Sequence, residues 1–158
     1  DVSDNAELPF ANESFSHVIS VDVVMHLPDR QESLAELWRV LKPGGHLLFT
    51  DACIVNGVLS DEDIRIRSHY GLSHFVPEGF NESALGSAGF TLEKKEKHSD
   101  GLIAICSGRS QAREKYKKEL VGEFGEAAFE HEQAYLKKLV ELYSEQKLLR
   151  YAYFANKS

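Results

Sequence analysis

Two residues four apart, Asp22 and His26, stand out in the segment Asp22-Val23-Val24-Met25-His26. A carboxylate at the end of a β-rich run lies where open α/β sheets bind ligands, and it suits a cationic group. The plainer reading makes Asp22 a loop residue capping something local. Histidine titrates near neutral pH and can take a proton from a reacting group, although one beside a helix start more often has a structural job. Further on, Arg65 and Arg67 lie in Arg65-Ile66-Arg67-Ser68-His69-Tyr70. Two guanidinium groups could bind a carboxylate bidentately, against the alternative of a charged helix face. None of the seven histidines has paired ligand spacing with cysteine or carboxylate partners, so no metal site is expected.

The elements that must position these residues belong to a chain of 158 residues, long enough for one domain with a proper core. A net charge of −7 argues against nucleic acid or an anionic membrane surface as partner. No apolar run approaches the roughly 18 residues of a membrane span. Cys53 and Cys106 lie far apart and outside zinc or redox spacings, which points to a reducing, cytoplasmic setting. Residues 16–24 are short and β-branched, as a buried strand is. Asp29 caps a helix, with Glu32 completing a capping-box-like pair and Leu34, Leu37, Trp38 and Leu41 on one face. Lys42-Pro43-Gly44-Gly45 stops that helix, and residues 46–50 form a second strand, parallel to the first. Helices are expected to start at Ser60 and to cover 77–86, with an outer strand at 91–97. Helical spacing runs from Asp100 to the glycines at 122–125. A long helix at 126–146 and a strand at 148–156 follow, which makes the class α/β.

In order and spacing, the pieces from Asp4 to Asp51 resemble the second half of a class I S-adenosylmethionine-dependent methyltransferase. The carriers are Leu8-Pro9-Phe10, the Ser14-Phe15-x-x-Val18-Ile19-Ser20 strand, His26-Leu27-Pro28-Asp29 and, most specific, Arg39-Val40-Leu41-Lys42-Pro43-Gly44-Gly45. The Asp22 to His26 element and the Arg150 to Lys157 strand are similar to small-molecule N-methyltransferases acting on glycine derivatives or phosphoethanolamine. The resemblance implies the C-terminal portion of a Rossmann-like fold, with the first three strands and the glycine loop upstream of Asp1. S-adenosylmethionine is then the cofactor, with Asp4 and Asn5 against the adenine, Asp22 at the methionyl end and His26 beside the methyl acceptor. Arg65, Arg67 and Tyr70 fall where the family places an acceptor lid. Ala52 and Ser68 replace a tyrosine and an arginine that hold phosphate in the phosphoethanolamine enzymes, which favours an amino-acid-like acceptor.

The chain divides by this reading into a βαβ core at 1–59, an acceptor-side lid with the outer strand at 60–99, and two helices with the terminal strand at 100–158. The competing expectation is a non-catalytic module that self-associates or exchanges strands through the edge at 18–21, since the family's neighbouring strand is not in this sequence.

Overall fold

In the computed structural model, residues 7–158 are described. The first strand, β1 (Phe15–Val21), leads through a single 3-10 turn (Val24–His26) into α1 (Arg30–Val40). Asp29 caps α1, its carboxylate accepting the backbone N–H groups of Gln31 and Glu32. The second strand, β2 (Leu41–Val55), runs parallel to β1, as the βαβ reading expects. It starts at Leu41 rather than His46, because residues 42–45 bulge within the ladder. Phe15 pairs with Leu41 and His17 with His46, so two steps on β1 face five on β2. Gly44 takes φ +74°, and a Cβ on Gly45 would sit 2.8 Å from the Lys42 carbonyl oxygen and 3.1 Å from that of Ser16. The glycine pair therefore shapes a bulge as well as ending a helix.

Beyond β2, a full capping box between Ser60 and Asp63 opens α2 (Asp61–Arg67). There follow β3 (Val76–Pro77), α3 (Phe80–Ala88), β4 (Phe90–Lys97), α4 (Ser99–Lys115), α5 (Lys117–Phe124), α6 (Glu126–Ser144) and β5 (Leu148–Lys157). The helical run expected from Asp100 to the glycines at 122–125 is broken at Tyr116, which leaves helical geometry at φ −108° and ψ 25°.

The sheet order is β1-β2-β5-β4, with β3 added to β2 and β5 antiparallel to both neighbours. The terminal strand is thus inserted between β2 and β4, leaving β4 at one edge and β1 at the other. Alternation along the strands sends Leu47, Phe49 and Tyr153 to one face, against Leu34 of α1 and Leu85 of α3. Cys53 and Leu148 face the other side, against Cys106 of α4 and Leu136, Leu139 and Tyr143 of α6. Both faces of the sheet are covered by helices, the layered α/β arrangement. Among the described residues no helix is long and apolar enough to cross a membrane, and no group of three metal-ligating side chains occurs.

Candidate functional site

The carboxyl end of β1 is where the backbone departs from ordinary geometry. Asp22 sits at φ +52°, a left-handed conformation that costs energy for a residue with a Cβ and that concentrates at ligand sites. Thr50 of β2 holds it there, accepting the Asp22 N–H at 2.9 Å and donating its hydroxyl to Asp22 Oδ1 at 2.8 Å. Arg150, from the start of β5, completes the cluster: its Nε lies 3.1 Å from Oδ1 and its Nη2 3.1 Å from Oδ2. The Asp22 carboxylate is therefore clamped bidentately, and any cationic ligand group would share it with Arg150.

The 3-10 turn that follows buries Val24 and Met25 and turns His26 outward. His26 Nδ1 lies 2.9 Å from the carbonyl oxygen of Leu72. A carbonyl only accepts, so Nδ1 carries a proton, and in the neutral ring the lone pair is on Nε2. That is the tautomer a proton acceptor needs.

Asp22 and His26 line one cavity of about 240 Å³ with Arg67, Tyr70, Cys106 and Tyr143. Arg67, at the last turn of α2, is 6% exposed. Its Nη2 lies 3.6 Å from the Met25 sulfur, the Tyr143 hydroxyl is a further partner of the guanidinium, and its Nε has none. Desolvation works against its charge, while Tyr143, Cys53 and Tyr135 work for it and leave the guanidinium pKa above its ordinary value. Burial pushes all three of those up, so they are neutral near pH 7. No carboxylate pairs with Arg67 among the described residues, although buried cations normally have an anionic partner. Arg109 also lines the cavity and is bound to Glu132 at 3.1 Å.

The residues singled out in the sequence divide accordingly. Asp22, His26, Arg67 and Tyr70 come together around the cavity. Arg65 does not: its side chain is 71% exposed and pairs with Glu62 at 3.7 Å on the outer face of α2. Asp4 and Asn5 lie outside the described residues. Sequence reasoning missed Arg150, which reaches Asp22 from 128 positions away, and the α6 tyrosines, whose helical spacing reads as core.

A family described as methyltransferase domain matches residues 1–49. Over 130 residues the chain is 24% identical to phosphoethanolamine N-methyltransferase 1 of Zea mays, covering 82% of this chain and 26% of that protein. The fold superimposes on a sarcosine dimethylglycine methyltransferase structure from Galdieria sulphuraria with a TM-score of 0.85 at 22% identity, over 98% of this chain and 57% of that one. Residues 1–49 thus match a methyltransferase domain, and the fold of the chain is the one this methyltransferase structure carries. A second methyltransferase structure, Haemonchus contortus phosphoethanolamine N-methyltransferase 2, aligns with a TM-score of 0.86 at 22% identity, over 97% of this chain and 36% of that one. That methyltransferase was crystallised with phosphomonomethylethanolamine and S-adenosylhomocysteine. The present chain thus spans about a quarter of the Zea mays methyltransferase and between a third and three-fifths of the two crystallised ones.

Proposed function

We propose that this chain forms the acceptor side of a methyltransferase that modifies a small amine or amino acid in the cytoplasm. One observation carries the reading: a buried guanidinium with no anionic partner among the described residues faces the same cavity as a histidine whose Nδ1 is held by a carbonyl. S-adenosylmethionine supplies an electrophilic methyl group. Asp22 suits the ammonium of its methionyl end, because the carboxylate is 30% exposed and opens onto the cavity. By resemblance Asp4 and Asn5 address the adenine.

An amine acceptor is protonated near neutral pH and has no lone pair for attack. His26 Nε2 is the group that removes that proton. Arg67 holds the acceptor's negative end, with Tyr70 closing over it. A single unpaired cation balances a carboxylate better than a phosphate dianion, because Arg109 is already engaged by Glu132. The acceptor favoured here is therefore an amino acid or its N-methyl derivative. The two buried free cysteines support a reducing compartment.

The test is transfer of an isotopically labelled methyl group, with this chain in a polypeptide that also carries a glycine-rich cofactor loop. Glycine, sarcosine and dimethylglycine are compared with ethanolamine and phosphoethanolamine. Methylation confined to the carboxylate-bearing amines is expected, and His26→Ala should lower kcat by about 10²–10⁴ while cofactor affinity holds. Equal use of ethanolamine would remove Arg67 from the acceptor site.

A second reading rests on the free edge of the sheet. Among the described residues β1 pairs with β2 alone, and Ile19 is 69% and Val21 56% exposed there. Unpaired backbone beside exposed apolar side chains favours self-association or strand exchange by this chain in isolation. Light scattering that gives a single monomeric mass at millimolar protein would exclude it.

A further inference from the structure

The segment between α2 and β3 reaches over the cavity and is pinned at both ends. At its near end, the His69 ring stacks on His131 of α6 with centroids 3.9 Å apart, and Tyr70 meets Tyr135 edge-on at 5.0 Å. At its far end, the His74 N–H donates to the Met25 carbonyl at 2.8 Å, and buried Arg30 donates to the His74 carbonyl. Between the pins, Gly71 turns at φ +136° and Leu72 is 68% exposed. The Leu72 side chain thus does little to locate its own backbone. Its carbonyl is nevertheless the group that holds His26 Nδ1.

We propose that His131, by stacking on His69, is a positioning residue for His26: it fixes the lid whose Leu72 carbonyl sets the His26 tautomer. The route is short and physical. The imidazole stack and the tyrosine contact dock residues 69 and 70 on α6, and the His74 contacts fix the other end. The three residues between them then have little freedom to carry the Leu72 carbonyl away from His26. Without the near pin, the carbonyl moves off and either ring nitrogen of His26 can hold the proton. The consequence for turnover rests on His26 being the base, as proposed above; the tautomer does not.

The experiment is nitrogen-15 NMR of the imidazoles of this chain at pH 8.5, where an ordinary imidazole is neutral. His26 should show a protonated Nδ1 in the native chain and a mixture of tautomers in His131→Ala and in His69→Ala. Both residues are exposed, so neither change removes core packing. His131→Phe, which keeps an aromatic face, should restore the Nδ1–H form. In the cofactor-competent polypeptide, His131→Ala should lower kcat by about three- to tenfold, the range set by one aromatic pair, without moving the KM for cofactor. If His26 keeps a protonated Nδ1 in both alanine variants, the proposal falls. A tautomer shift with unchanged kcat would uphold the latch and remove His26 as the base.

Discussion

Replacing Arg67 by methionine should move stability and acceptor binding in opposite directions. The guanidinium is 6% exposed, its Nε is unpartnered, and the side chains around it are neutral at pH 7. Removing an ion from water costs several kcal/mol even after relaxation, and no carboxylate among the described residues offsets it. The contacts with the Met25 sulfur and the Tyr143 hydroxyl recover part of that cost, at roughly 1 kcal/mol or so each. A methionine of similar reach fills the space and needs no partner. The ligand-free chain should therefore gain about 1–3 kcal/mol, which for a chain of this size is a Tm increase of roughly 2–10 °C. In the proposed role, the same change would delete a charge-assisted contact of about 1.5–3 kcal/mol to a carboxylate acceptor and should raise its KM roughly 10- to 150-fold. Thermal melts with and without the acceptor, beside steady-state kinetics, read both quantities. Wild-type chain should be stabilised by the amino-acid acceptor and Arg67→Met should not respond. A lower Tm combined with an unchanged KM would show that Arg67 serves packing alone.

The buried ion pair behind the site behaves differently: Asp51→Ala leaves Arg30 uncompensated and takes the carboxylate from Asn81, so denaturant titration should show a loss of about 3–5 kcal/mol. Burial pushes both thiols up, so neither Cys53 nor Cys106 should react with a thiol reagent at pH 8 until denaturant is added. Rapid labelling of Cys106 in the native chain would contradict its burial at the cavity wall. Burial also raises the Glu132 carboxyl above its ordinary 4.5, so the folded chain holds this proton more tightly than the unfolded one. The contribution is full below pH 4.5 and is lost as pH rises through the elevated value. Glu132→Gln should remove that downward slope from a stability profile measured between pH 4 and 7.

The half of the fold legible in the sequence is the half built from short-range signals. Strand β1, the Asp29 cap, the apolar face of α1 and the return along β2 are all written within about forty consecutive residues, and each local preference agrees with the others. The Ser60 cap is equally local. The bulge at residues 42–45 was only half legible: proline and paired glycines announce an interruption, but whether the chain leaves the ladder or kinks within it depends on β1 lying alongside. The break at Tyr116 carries no proline or glycine, and nothing in the structure explains it.

The site divides along the same line, with one instructive exception. Arg150 could not be matched to Asp22, because the insertion of β5 beside β2 joins positions that no local pattern connects. The His69–His131 stack is hidden for the same reason. The separation of Arg65 from Arg67, by contrast, was available from geometry. At 3.6 residues per turn, two positions apart on a helix differ by about 200°, so both side chains cannot enter one cavity. Once Tyr70 and His26 fix which side of α2 is inner, one arginine must be buried and the other solvated. The structure buries Arg67 and leaves Arg65 with Glu62 at the surface. Only the buried guanidinium, which has no carboxylate partner among the described residues, has a free-energy reason to bind one from solution.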